Sequence, residues 1–255
     1  MKESHSASTS FAGQSPNICL DPPFSHTRSW ISPWLTPLAY WLGYNLVIPS
    51  FFGRIDVAGQ QHIPIKGPVI LAPTHRSRWD PLLLAYAAGR YITGRDLRFM
   101  VMSSECRGIQ GWFILSMGGF AVNLQRPGIR SLRHAVDLML GGEMLVIYPE
   151  GGIFRDGKIH PLKSGTARLS INAQSLDPNL DIKIIPVAIN YDRPYPSWGT
   201  KVKIRIGEPV KVTDYIHGCL KQNAKYLTRD LRSKLQEVAD SQPDFSLRAN
   251  CLTNS

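Results

Sequence analysis

Histidine and aspartate stand five residues apart in the stretch 69–89, as His75 and Asp80. A neutral imidazole acts as a general base when one ring nitrogen is free and the other is held. A carboxylate supplies the holding: it accepts the second N–H, fixes the tautomer and stabilises the imidazolium that forms. Two bland readings compete. Asp80 before Pro81 is a good helix cap, and a loop histidine is ordinarily just exposed. Seven histidines in 255 residues also make the spacing easy to meet by accident. Ser77 is a further candidate, as a nucleophile beside His75, but no G-x-S-x-G elbow surrounds it.

These residues need elements to hold them. Val69, Ile70 and Leu71 after Gly67-Pro68 read as a buried strand. Asp80 as N-cap, Pro81 at the first helical position and three leucines read as a helix start. His75 thus falls between the carboxyl end of a strand and a helix, where ligands gather in open α/β sheets. Further strands are predicted at 55–58, 99–102, 120–123, 144–148, 182–190 and 202–206. Residues 127–140 read as a helix with Leu132, Val136 and Met139 inward. Residues 222–238 read as a packed terminal helix with Ala224, Leu227, Leu231, Leu235 and Val238 as its seam. The alternation predicts an α/β fold, a mostly parallel central sheet flanked by helices.

Two more loops at predicted strand ends carry suggestive residues. After 120–123, "LQRPGIRSLR" places Arg126, Arg130 and Arg133 near a helix start. Such a start favours anions, and arginine adds a bidentate fork for phosphate, although a solvated basic face explains the same residues. After 144–148, Glu150 precedes Gly151-Gly152, where backbone can approach a ligand closely. Lys163, Ser164, Gly165 and Thr166 then open the next helix as a second candidate phosphate cradle.

Lysine and arginine number 29 against 19 acidic residues, a net charge of +10. Such a surface seeks phosphate in nucleic acid, anionic lipid or a phosphorylated metabolite. No basic stripe interleaved with aromatics is evident, so nucleic acid is not expected as a partner. Cys19, Cys106, Cys219 and Cys251 lack C-x-x-C spacing, which fits a reducing compartment and no zinc site. Residues 1–27 read as a disordered polar tail and 241–255 as a flexible one, with a domain at 54–240 between. No apolar h-region follows Lys2, so no secretory signal is expected. Residues 28–53 are uncharged between Arg28 and Arg54, yet Pro33, Pro37 and Pro49 make a poor spanning helix. Trp30, Trp34, Trp41, Ile48 and Phe52 fall on one face at helical spacing, with Tyr40 and Tyr44 adding amphipathic rings. A broken helix lying in a membrane interface is the expectation; a span or an ordinary core segment are the alternatives.

Taken together, "THRSRWD", "GGFAVNLQR", "YPEGG" and "IIPVAI" resemble, in order, the four blocks of the glycerolipid acyltransferase family, which includes the 1-acylglycerol-3-phosphate acyltransferases. The likeness runs from about residue 55 to 208. It implies His75 as base, Asp80 as its orienting partner, Arg126 as an acceptor-binding arginine, and Glu150 and Gly151 in the P-E-G block. It departs at Thr74, where the family often has Asn, and at Ser103-Ser104, where it tends to have Lys. Gly152-Ile153 replaces the common Thr-Arg, and Arg155 or Lys163, with Gly165 nearby, is the expected compensation for phosphate binding. The resemblance implies acyl transfer from an acyl carrier protein or coenzyme A thioester to a lyso-lipid hydroxyl, most simply that of 1-acylglycerol 3-phosphate. Another lyso-lipid acceptor, or hydrolysis, is the alternative. Neither metal nor bound organic cofactor is expected, and the enzyme is expected on the cytoplasmic face of a membrane, peripheral or monotopic.

Overall fold

A computed structural model of the chain describes residues 29–123 and 128–241. The tails expected to be disordered lie, apart from Ser241, outside the described residues, and so does Arg126.

The strands are β1 (Phe52–Ala58), β2 (Val69–Pro73), β3 (Leu97–Met102), β4 (Phe120–Val122), β5 (Met144–Val146), β6 (Lys183–Tyr191), β7 (Thr200–Ile206) and β8 (Val210–Lys211). They form one sheet in the order β1-β7-β6-β2-β5-β3-β4, with β8 paired to β6. All pairs are parallel except β6 with β7 and β6 with β8. The helices are α1 (Leu35–Leu42), α2 (Ile48–Phe51), α3 (Asp80–Ala88), α4 (Arg90–Thr93), α5 (Gly108–Ser116), α6 (Ile129–Leu140), α7 (Gly165–Leu176) and α8 (Leu220–Asp240).

The apolar run of β2 is explained by burial on both faces. Ile70 and Ala72 join a core with residues of α6, α7 and α8. Val69 and Leu71 join a second core with Leu83, Leu84, Ala87 and Ala88 of α3, on the opposite face. From β2 the chain crosses to β3 and β4, returns to β5 beside β2, and then reaches β6 on the other side. The carboxyl ends of β6, β2 and β5 therefore lie next to one another, at the reversal of strand order where α/β sheets form their crevice.

Three local expectations are corrected. Trp79, not Asp80, occupies the N-cap of α3, and no side-chain cap is made. The carboxylate of Asp80 turns instead toward the preceding loop, where stronger donors wait. In α6, Val136 and Met139 are buried but Leu132 is exposed, and Ser131 and Ala135 complete the inward face. In the aromatic segment Ile48 and Phe52 are core residues, whereas Trp30, Trp34 and Trp41 are exposed. A π-helical turn over Gly43–Val47 joins α1 to α2. Its wider winding rotates Ile48 off the tryptophan face and into the core, while Phe52 has already entered β1.

Candidate active site

His75 leaves the end of β2 in a loop pinned from three sides. Just before it, Thr74 donates its backbone N–H to the Val187 carbonyl (2.9 Å), and its Oγ1 accepts from the Ile189 N–H (2.9 Å). Threonine at this position thus stitches the loop to β6. The His75 carbonyl accepts from the Phe154 N–H at 2.9 Å. The His75 N–H donates to Glu150 Oε1 at 3.3 Å.

Five residues on, Asp80 is fully buried. Its Oδ2 accepts from His75 Nδ1 (2.8 Å) and from the backbone N–H groups of Arg76 (2.6 Å) and Ser77 (2.9 Å). Its Oδ1 accepts from the Tyr191 hydroxyl at 2.6 Å. These four hydrogen bonds offset the carboxylate's loss of water. With Nδ1 committed to Asp80, the proton sits there and Nε2 is the nitrogen left as acceptor. The imidazole stacks on Tyr148, ring centroids 4.0 Å apart. Burial first, and then the Asp80 charge, push the Tyr148 phenol well above its ordinary value, so it stays neutral beneath the ring.

Glu150 stands behind this loop rather than in open space. Oε2 accepts from the His160 N–H (2.9 Å), and Arg76 Nη1 reaches Oε1 (3.3 Å) and the Phe154 carbonyl (3.2 Å). The pair is almost completely enclosed, with side-chain exposures of 5% for Arg76 and 0% for Glu150. Gly151, at φ +71°, turns the chain out toward the cavity, and a Cβ there would lie 2.6 Å from Lys163 Cε and Nζ.

His75 lines an apolar cavity of about 720 Å³, a size typical of small-molecule sites. Tyr40 and Tyr44 form one wall, Phe113 and Ile114 of α5 another, and Ile153 stands near Gly151 on the loop after β5. Arg78 also lines it, paired with Glu105 at 2.6 Å. Of the residues expected from sequence, the structure gathers His75, Asp80, Glu150 and Gly151. Lys163 packs its side chain over Gly151, and exposed Arg155 lies over the Tyr195 ring at 4.9 Å. Neither lines the cavity, and Gly165 opens α7 with nothing near its Cα substituent position. No group of three or more His, Cys, Asp or Glu side chains among the described residues is placed to hold a metal ion. The sequence reading missed Arg76, Tyr148 and Tyr191 as site residues; for the last, the available signal was a polar aromatic just past a predicted strand end.

The histidine–aspartate pair thus stands at the carboxyl ends of a mostly parallel sheet and opens on an apolar cavity. The model of the Acyltransferase family matches residues 54–190, and the chain belongs to that family. It is 30% identical over 179 residues to the mitochondrial glycerol-3-phosphate acyltransferase 1 of Sus scrofa, covering 64% of this chain but only 22% of that protein. It is 24% identical to the 1-acyl-sn-glycerol-3-phosphate acyltransferase of Bacillus subtilis (strain 168), covering 75% of this chain and 92% of the relative. In fold it is similar to the 1-acyl-sn-glycerophosphate acyltransferase PlsC of Thermotoga maritima, with a TM-score of 0.56 at 20% identity, covering 75% and 74% of the two chains.

Proposed function

We propose that the protein transfers a fatty acyl group from an acyl thioester to the free hydroxyl of 1-acyl-sn-glycerol 3-phosphate, giving phosphatidic acid. The observation that carries this reading is the His75–Asp80 pair on the wall of an apolar cavity large enough for an acyl chain. Nε2 of His75 takes the hydroxyl proton as the oxygen attacks the thioester carbonyl. The tetrahedral intermediate then expels the thiolate, which regains the proton from the imidazolium, and Asp80 stabilises that cation throughout. Acyl carrier protein or coenzyme A serves as the carrier; the chemistry at His75 is the same for both. The match to the Bacillus relative, over 92% of its length, supports the acceptor. The match to the mitochondrial relative favours a second reading, glycerol 3-phosphate, in which the hydroxyl donor lacks a lipid tail.

Arg126 is proposed as the ligand of the acceptor phosphate. A charge-assisted contact of that kind contributes about 1.5–3 kcal/mol. Arg126→Ala is therefore expected to lower kcat/KM roughly 10- to 150-fold on lysophosphatidic acid and to leave the rate on its dephosphorylated counterpart unchanged. Product analysis by mass spectrometry, with one acyl thioester and a panel of both acceptors plus glycerol 3-phosphate, tests the assignment. Equal loss on all three, or preference of the parent for the neutral acceptor, refutes it.

A lipid acceptor also accounts for the exposed apolar face. Among the described residues no helix is long and apolar enough to cross a membrane. Trp34 is 87% exposed and Trp41 55%, and on α5 Ile109 is 87% and Trp112 59% exposed. The two helices meet through the Thr36 hydroxyl, which donates to the Ser116 carbonyl (3.3 Å), and other residues of both line the cavity. Aromatic side chains favour the headgroup level of a bilayer, so α1 and α5 are proposed to seat the cavity on the lipid surface, at the cytoplasmic face. Replacing Trp34, Trp41 and Trp112 by Ser is expected to cut co-sedimentation with anionic liposomes several-fold, at about 1 kcal/mol or more per buried ring. Activity on a short-chain soluble acceptor should survive. Undiminished sedimentation places the contact elsewhere.

A further inference from the structure

Tyr191 belongs to β6, far from the His75 loop in sequence, and nothing in the spacing of the catalytic block points to it. Its hydroxyl nevertheless donates to Asp80 Oδ1 at 2.6 Å. The two carboxylate oxygens are unequally served: Oδ2 takes the imidazole and two backbone N–H groups, and Oδ1 takes Tyr191. A carboxylate on a single Cβ can rotate, and rotation would swing Oδ2 away from Nδ1. Fastening Oδ1 removes that freedom.

Tyr191 is itself rigidly held. Its backbone pairs with Val202 of β7, and its ring lies 6.4 Å from that of Phe52. From these contacts we propose that Tyr191 is a positioning residue of the reaction, a third member that fixes the plane of the Asp80 carboxylate and moderates its charge toward His75. The inference rests on the acyl-transfer reading only for its rate measurement; the hydrogen-bonded array exists whatever the acceptor.

The phenol is suited to the role. Burial first, and then the Asp80 charge, push its ionisation far above the ordinary tyrosine value, so it remains a donor at every working pH. The other titratable groups around the imidazole do not replace it. Arg76 and Glu150 are paired with each other, Tyr148 is a neutral phenol stacked on the ring, and Arg78 at the cavity wall is paired with Glu105.

Tyr191→Phe keeps the ring and removes the donor. It is expected to lower kcat roughly 10-fold or more, the worth of a hydrogen bond to a charged group, with little change in KM. The sign of the pH effect follows from the charge. Without the phenol, Asp80 attracts a proton on His75 more strongly, so the acid limb of the kcat/KM profile moves to higher pH. The downfield proton resonance of His75 Nδ1–H should shift in the same variant, a readout that needs no substrate. In an Asp80→Asn background, Tyr191→Phe should cost less than about twofold, because the charge it acts on is gone. An unmoved resonance and acid limb in Tyr191→Phe overturn the proposal, as does an equal loss in both backgrounds. A parent enzyme inactive on every acceptor would instead overturn the function proposed above, and the resonance would still report on Tyr191.

Discussion

His75→Ala is expected to lower the rate of acyl transfer by roughly two to four orders of magnitude, the usual contribution of a positioned general base. The fold should survive, since the His75 side chain is 18% exposed and lies at the cavity wall. Circular dichroism and a melting curve matching the parent would establish that. Asp80→Asn is the sharper test. An amide carries no charge to stabilise the imidazolium, and with its oxygen on the three Oδ2 donors its NH2 group faces the Tyr191 hydroxyl, a donor against a donor. A rate loss comparable with that of His75→Ala is expected. Near-full activity in Asp80→Asn would reduce Asp80 to a structural anchor of the 75–77 loop and remove the dyad from the mechanism.

The second large effect concerns stability. Arg76→Met leaves Glu150 enclosed without its cation, and removal of one partner from a buried pair costs about 3–5 kcal/mol. A urea titration should show the midpoint fall with the slope unchanged. Replacing both, Arg76→Met with Glu150→Leu, should recover only part of that loss: the desolvated charge is gone, but the His75 and His160 N–H groups lose their acceptor. Activity should not recover with it. Glu150 also receives the backbone N–H groups of His75 and His160, so the double variant loses the tie between the base and the loop after β5. If the single variant is as stable as the parent, the pair contributes nothing to the fold. If the double variant is fully active, Glu150 has no part in positioning His75.

Arg155 and Lys163 follow Gly151 closely in sequence, yet one lies over Tyr195 and the other over Gly151. Ile153, where the family commonly has arginine, is what the loop presents to the cavity. The wall is apolar at that point, which suits an acyl chain better than a phosphate.

Much of the architecture was legible because both sheet faces are covered. Burial on two sides demands apolar runs, and such runs at 69–71, 144–148 and 182–190 mark β2, β5 and β6 to within a few residues. The ordered pair of His75 and Asp80 was also legible, because a strand end, a loop and a Pro81 helix start are all local signals. What Asp80 does was not. Its cap-like position is a property of neighbours in sequence. Its hydrogen bonding depends on a hydroxyl from β6, and its enclosure on packing that only the folded sheet supplies. Arg76 likewise reads as one more surface cation until β5, beside β2, brings Glu150 against it. The same holds for Ile48, which helical spacing assigns to the tryptophan face and the π turn delivers to the core. Periodicity and turn chemistry act over a few residues and so can be read along the chain. Strand order, phase slips in a helix and the pairing of buried charges depend on contacts between distant segments, and only the tertiary structure decides them.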